Sequence, residues 1–332
     1  MPRILITGAS GFIGGYLVST ALERGYDVTA AVRAGSDRSR LSDPRIRLLE
    51  LPLGNEAAMA QIFAETGRFD RIIHNAGVTK ALSKEAYLEG NVANTRRLVH
   101  ALQHAGNIPD QFLFVSSLAA LGAAPVDSAM IHEGQMPNPL TFYGESKFEA
   151  ERFLASLDDT FPWVAVQPTA VYGPWERDIL TFIKLAHKGL EMSIGRKPQR
   201  LSFIHAEDVA GAVFRILETP EIGGRKIILS DGNAYQTEDL GAAVRQALGK
   251  KNTLKIRLPL ELIRPIAAVT ETIGRWQNKA VPLNRNKIAE LAAENWHCDA
   301  GPLLETVQYQ PKFDLYKGMV NTVQWYRHKG WL

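Results

Sequence analysis

The chain has 332 residues, of which 38 are Lys or Arg and 35 are Asp or Glu. The net charge of +3 is small and the basic residues are scattered, so a nucleic-acid-binding surface is not indicated. The single cysteine, Cys298, excludes an intrachain disulfide and fits a reducing compartment, and the length suffices for one large domain or a main domain with a smaller lobe.

Ile4, Leu5 and Ile6 form a short apolar run between Pro2 and Gly8, the pattern of a buried parallel strand. The run leads into Gly8, Ser10, Gly11, Phe12, Ile13 and Gly14. From residue 12 to residue 24, Ile13, Leu17, Val18, Ala21 and Leu22 then recur at helical spacing. A glycine-rich turn between a strand and a helix N-terminus lets the backbone approach a pyrophosphate, whose charge the unpaired N–H groups and the helix dipole receive. The spacing is G-x-x-G-x-x-G, wider than G-x-G-x-x-G. A plain tight turn is the alternative reading of the glycines taken alone.

Strands are predicted at residues 4–7, 28–32, 46–49, 71–74, 112–115 and 164–166, with helical patterns between them. That alternation implies an α/β fold with a doubly wound parallel sheet covered on both faces. After Gly173 the pattern loosens into helices separated by small strands such as 226–229, with prolines marking segment ends. Residues 258–273 are apolar but are interrupted by Pro259, Glu261, Arg264, Pro265 and Glu271, too short and too charged to span a membrane. An amphipathic lid or peripheral contact stays open for them. The start of the chain lacks a basic stretch followed by an apolar segment, so a cytoplasmic location is expected.

Tyr143 and Lys147 lie four apart in Tyr143-Gly144-Glu145-Ser146-Lys147, which on a helix puts them on one face. A tyrosine titrates near roughly 10, too high for acid/base work at neutral pH, and the lysine ammonium can hold the phenol near its deprotonated form. The eight histidines are scattered without paired ligand spacing and one cysteine builds no thiolate cluster, so no metal site is expected. Ser116-Ser117 lacks the flanking glycines of a nucleophile elbow.

The chain resembles the extended short-chain dehydrogenase/reductase family, also called the NAD-dependent epimerase/dehydratase family, over nearly its whole length. The matching motifs run from Thr7-Gly8-Ala9-Ser10-Gly11-Phe12-Ile13-Gly14 through His74-Asn75-Ala76-Gly77 and Asn91-Val92-Ala93-Asn94-Thr95 to Val115-Ser116-Ser117 followed by Gly122. They continue through Tyr143 to Lys147, Pro168-Thr169-Ala170-Val171-Tyr172-Gly173-Pro174 and Phe203 to Ala210. The resemblance implies a Rossmann domain over residues 1–172 that also receives about 202–232, and an interleaved, mostly helical substrate lobe over 173–332. It implies that Ser117 holds the reacting oxygen, that Tyr143 moves a proton to or from it, and that Lys147 binds the nicotinamide ribose and depresses the tyrosine. The spacing to Gly122 favours Ser117 over Ser116. Cofactor contacts are expected from Gly8, Ser10, Gly11, Phe12, Ile13, Gly14, Asn75, Ala76, Gly77, Asn91, Tyr143, Lys147 and Pro168. Substrate contacts are expected from Thr79, Ala170 and Arg200. Asn91 reads equally as a helix-bending amide, and His74 and His205 read as packed histidines. Relatives also imply a homodimer through the helices after Tyr87 and Tyr143.

Cofactor choice is read at the end of the second strand, where an acid commonly takes the ribose hydroxyls. Here the strand ends in Arg33, with Arg38 and Arg40 close behind and Asp27 too early, so NADP(H) is expected ahead of NAD(H). Where family members carry an Asp before an apolar residue for the adenine, this chain has Pro52-Leu53 and no contact is assigned. Sugar-nucleotide members often place an Asn near the substrate diphosphate where this chain has Ala170. The segment from Pro168 to Pro174 and the Val32-Arg33 strand end look nearer the carbonyl reductases and hydroxysteroid-dehydrogenase-like members. Arg200 is the counter-signal, together with Lys184, Lys188, Arg196 and Lys197, each of which also reads as solvated surface. Leu118 and Ala119 after Ser117 speak against 4,6-dehydration. The expectation is a hydroxyl/carbonyl oxidoreductase on an uncharged or weakly polar alcohol or ketone. The alternatives are a nucleotide-sugar epimerase or dehydratase, and a non-catalytic NADP-binding regulator.

Overall fold

The computed structural model describes residues 1–124, 128–195, 197–219, 222–276 and 285–332. Its first half alternates strand and helix. The strands are β1 (Arg3–Thr7), β2 (Asp27–Val32), β3 (Arg47–Glu50), β4 (Arg71–His74), β5 (Gln111–Val115) and β6 (Trp163–Pro168), and the helices are α1 (Phe12–Glu23), α2 (Glu56–Thr66), α3 (Lys84–Tyr87), α4 (Asn94–His104) and α5 (Phe142–Ala155). The second half holds β7 (Ala170–Tyr172), α6 (Asp178–His187), β8 (Leu190–Ile194), β9 (Arg200–Leu201), β10 (Phe203–His205), α7 (Ala206–Leu217) and β11 (Lys226–Leu229). It ends with β12 (Tyr235–Gln236), α8 (Thr237–Leu248), β13 (Leu254–Leu258), α9 (Leu260–Trp276), α10 (Arg285–Ala292), β14 (Asn295–Trp296) and α11 (Leu315–His328).

Seven strands form one parallel sheet in the order β11-β6-β5-β4-β1-β2-β3. Strand side chains alternate between faces, so Ile4 and Ile6 pack with Leu17 and Val18 of α1 and Val209 and Val213 of α7 on one side. Leu5 faces the other way and shares a core with Met59 and Phe63 of α2, Leu98 and Leu102 of α4, and Leu154 of α5. With both faces covered, the central strands are mostly apolar, which is why they read so plainly as sequence. Losing a fully buried ring such as Phe112 would cost ~3–5 kcal/mol.

The strand order reverses between β1 and β4. In an open parallel sheet that reversal leaves a crevice at the carboxyl ends of the strands, the usual ligand position. Beyond β6 lie three small sheets, β10-β7, β12-β9-β14 and β13-β8, of which the first two lend Ala170, Leu201 and Trp296 to the cleft over that crevice. A separate core of Tyr172, Ile183, Val244, Leu315, Met319 and Tyr326 joins α6, α8 and α11.

Candidate active site

The glycine loop is built by close backbone packing. Gly8 has φ of +66°, and a Cβ on it would lie 2.7 Å from the Ala76 nitrogen. A Cβ on Gly14 would lie 2.0 Å from the Gly8 carbonyl oxygen. The loops after β1 and β4 are therefore pressed together, with Asn75 Nδ2 donating to the Gly8 carbonyl at 3.2 Å and the Ala76 N–H donating to Thr7 Oγ1 at 3.1 Å. Helix α1 starts at Gly11 with no side-chain cap, so its first N–H groups are available to an anion. Ser10, Phe12 and Ile13 complete the turn, each partly exposed at the crevice. This loop suits a dinucleotide pyrophosphate.

Helix α5 supplies the pair. Thr141 caps it by accepting the Gly144 N–H at 3.0 Å, which fixes where the first turn begins and hence which face Tyr143 and Lys147 share. Tyr143 and Ser117 both line the cleft. Burial pushes the Tyr143 phenol up to about 12, the Ser117 hydroxyl opposes the rise, and Glu290 adds to it. Lys147 is buried, donates to the Val115 carbonyl at 2.8 Å and lies 4.6 Å from the Phe114 ring centre. Burial pulls its ammonium down to about 8, against the attraction of Glu151. In the structure the Lys147 ammonium goes to the main-chain carbonyl at the carboxyl end of β5, and burial is the larger influence on the phenol.

Ser117 lines the cleft and accepts the Ala119 N–H at 3.2 Å. Its neighbour Ser116 points under the sheet, where its hydroxyl donates to Glu151. Asn91 is buried in a π-helical segment, Leu88–Ala93, where its Oδ1 accepts the Val78 N–H at 2.7 Å and its Nδ2 donates to Ser146 Oγ at 2.8 Å. Ser146 in turn donates to the Tyr143 carbonyl at 2.8 Å. Asn91 thus ties the loop carrying Gly77 and Val78 to the first turn of α5. A Cβ on Gly77 would meet Asn91 Oδ1 at 3.0 Å and Lys147 Nζ at 3.2 Å, so a larger residue there would press on both side chains.

Beneath the pair lies a group that motif reading passed over. Glu151, fully buried, accepts from Gln167 Nε2 at 2.9 Å and from Ser116, with Lys226 Nζ at 3.6 Å. Its burial raises its carboxyl above the ordinary range. The signal was its position one turn past Lys147 on the same helix face. His74 is a packed histidine, bonded to Thr7 Oγ1 at 2.8 Å and Thr95 Oγ1 at 3.0 Å, and burial pulls it down to about 3. His205 caps α7 and lies 4.2 Å from the Phe313 ring, and burial pulls it down to about 4.

A cleft of about 1040 Å³ opens over Ser117 and Tyr143, lined also by Thr79, Pro168, Ala170 and Trp296. Arg200 is exposed and is not among the lining residues, although Gln199 and Leu201 are. Strand alternation explains this, since Arg200 points to the opposite side from its neighbours. Among the other cations, Lys197 pairs with Glu294, Lys184 borders a separate surface hollow beside Trp331, Lys188 is exposed, and Arg196 lies outside the described residues. The described lining residues carry three lysines, Lys80, Lys84 and Lys287, and three acids, Glu85, Asp178 and Glu290, and no arginine. Lys80 pairs with Asp178 at 2.6 Å, Lys84 with Glu145, and Lys287 with Glu290 at 2.7 Å. Among the described residues no group of acids, histidines and cysteines could hold a metal ion, and no helix is long and apolar enough to cross a membrane.

A family model described as the NAD dependent epimerase/dehydratase family matches residues 4–230. The ceramide reductase of Caulobacter vibrioides is 28% identical over 99% of this chain and 96% of its own length. The UDP-glucose 4-epimerase of Vibrio cholerae is 24% identical over 98% of this chain and 95% of its own. Among solved structures, the UDP-glucuronic acid 4-epimerase from Bacillus cereus with NAD superposes with a TM-score of 0.77 at 20% identity, covering 98% of this chain and 99% of that one. The UDP-glucose 4-epimerase of Thermus thermophilus with NAD gives the same TM-score, identity and coverage.

The expectation of NADP(H) ahead of NAD(H) is corrected by these structures, since five similar ones hold NAD. Arg33 and Arg38 are exposed at and beyond the end of β2, and among the described residues no side-chain contact orders either guanidinium. Arg40, which is held, spends its guanidinium on the Gly11 and Phe12 carbonyls at 3.1 and 2.9 Å and on the Trp175 ring at 4.8 Å.

Proposed function

Because the chain belongs to the NAD dependent epimerase/dehydratase family, we propose that this enzyme interconverts a hydroxyl and a carbonyl on an uncharged or weakly polar alcohol or ketone. The observation that carries this reading is the cleft, in which Tyr143 and Ser117 face a lining whose described residues balance three lysines with three acids and include no arginine, with Ala170 in place of a diphosphate donor. NAD(H), when bound, supplies or takes up the hydride. In the reducing direction Tyr143 gives its phenolic proton to the substrate oxygen, and in the oxidising direction it takes that proton back. Burial keeps the phenol protonated at neutral pH, which suits proton donation. Ser117 holds the oxygen by a hydrogen bond. Gly8, Ser10, Gly11, Phe12, Ile13 and Gly14 would hold the pyrophosphate, and Lys147, beside Gly77, would hold the nicotinamide ribose with Asn75, Ala76, Asn91 and Pro168 nearby. Thr79 and Ala170 would face the substrate. Residues 173–332, less the returning segment 202–232, act as its lobe, and two copies pair through α4 and α5.

The reading places the chain nearer carbonyl reductases and hydroxysteroid-dehydrogenase-like enzymes than epimerases, and the whole-length likeness to a ceramide reductase supports it. By number, the similar proteins weigh more toward the second reading, a nucleotide-sugar epimerase or dehydratase. The two separate in one experiment. Consumption of NADH is measured with a panel of aliphatic and lipid ketones, and UDP-glucose and UDP-glucuronic acid are titrated by calorimetry. Ketone reduction without nucleotide-sugar binding is expected; tight binding of either nucleotide sugar, with its 4-epimer appearing, replaces the first reading by the second.

A further inference from the structure

Helix α9 presents two apolar faces, and among the described residues only one has a partner within the chain. Ile263 and Ala267 point inward against Ile288 of α10, with Ile194, Leu258 and Leu260 alongside. Leu262, Ile266, Val269 and Trp276 follow one another four, three and seven residues apart, which places them on a common stripe. They are exposed at 58%, 51%, 58% and 95%, and Leu254 on the adjoining β13 is exposed at 66%. A contiguous apolar stripe of this kind on a water-facing surface marks a contact.

Charge says which contact. Residues 250–287 contain nine lysines and arginines against two acids, Glu261 and Glu271, a net of +7 in a chain whose total is +3. Lys250 and Lys251 lie on the turn before β13 and Lys255 on β13, the strand that leads directly into α9, and Lys251 and Lys255 are exposed. Apolar side chains flanked by basic ones are the composition of a helix that lies in the plane of a bilayer surface, its apolar side among the acyl chains and its cations at anionic headgroups. A second copy would bring the same positive field against this one, which disfavours self-association through the stripe.

We propose that the outer face of α9, with β13 and the preceding turn, docks on an anionic phospholipid membrane. Helix α10, against which α9 packs, gives Lys287, Glu290 and Leu291 to the cleft wall, so docking sets the cleft one helix away from the bilayer. The docking stands apart from the proposed activity, because its test reads binding and not turnover.

The full-length protein is co-sedimented with vesicles of phosphatidylcholine alone and with vesicles of equal parts phosphatidylglycerol and phosphatidylcholine. It is expected to pellet with the second and not the first, to be released by salt, and to lose about tenfold in partitioning when Ile266→Ser and Val269→Ser are combined. Lys250→Glu with Lys255→Glu should remove the preference for phosphatidylglycerol while leaving the melting temperature unchanged. The proposal is overturned if the protein stays in the supernatant with the anionic vesicles at low salt, or if the serine pair pellets like the parent. It is equally overturned if the serine pair instead splits a dimer in size-exclusion chromatography, which would make the stripe an interface between copies.

Discussion

Lys147, one helical turn past Tyr143, sends its ammonium to the Val115 carbonyl at 2.8 Å, while Tyr143 lines the cleft with Ser117. The two side chains share a helix face yet answer to different neighbours. The phenol is held protonated by burial, and the ammonium is weakened by burial, so proton donation and cofactor retention become separable properties of one motif.

Replacing Tyr143 by Phe removes the proton donor and little else, since the ring stays. Turnover should fall by about 10²–10⁴-fold while NADH still binds. Steady-state rates against fluorescence titration of NADH check both halves. An unchanged rate would remove Tyr143 from the chemistry.

Lys147 sets a pH limit. Its ammonium is pulled down to about 8, so its charge is lost as pH rises through that value and affinity for the anionic cofactor should drop there. Lys147→Arg, which stays charged, should flatten that limb. Stability moves the other way. Between about 8 and the ordinary lysine value near 10.4 the unfolded chain binds the extra proton, so stability contributed by this group rises with pH across that window. Denaturant unfolding at a series of alkaline pH values reads the second effect, and NADH titration the first.

His74 makes the fold acid-sensitive. Held neutral between Thr7 and Thr95 and pulled down to about 3, it takes up a proton in the unfolded chain first. Stability from this group is full above about 6.5 and declines as pH falls toward 3, with a limiting slope of ~1.4 kcal/mol per pH unit. Urea midpoints between these pH values should show the decline in the parent, and His74→Asn should lose that component of the slope.

The glycine loop is tested by contrast. A Cβ at position 14 would stand 2.0 Å from the Gly8 carbonyl oxygen, whereas one at Gly54 meets nothing within 4 Å. Gly14→Ala should destabilise by ~1–3 kcal/mol and abolish cofactor binding. Gly54→Ala should change stability by less than ~0.5 kcal/mol and leave binding intact. Thermal melts with and without NADH compare the two.

The sheet was legible because its central strands are buried on both faces and therefore mostly apolar. The expected strands at 71–74 and 226–229 match Arg71–His74 and Lys226–Leu229, and the third strand, on the exposed edge, sits one residue later than its pattern suggested, at Arg47–Glu50. Arg200 read both as a phosphate ligand and as solvated surface because a two-residue strand has no visible alternation in sequence; the structure leaves it exposed, with Gln199 and Leu201 lining the cleft. Glu151 went unread because a buried acid looks like any helical acid until Ser116, Gln167 and Lys226 arrive from other elements.

What the residues alone determined is whatever depends on local spacing: the glycine turn at a helix start, the alternation that makes a doubly wound sheet, and Tyr143 and Lys147 on one helix face. Periodicity and backbone geometry act within a few residues, so one chain of letters carries them. The tertiary structure alone decided where Lys147 points, that the cleft's charges cancel, that Arg33 and Arg38 stay in solvent, and that an apolar stripe on α9 faces outward. Each of those depends on groups distant in sequence meeting, or failing to meet, and on the burial that meeting imposes.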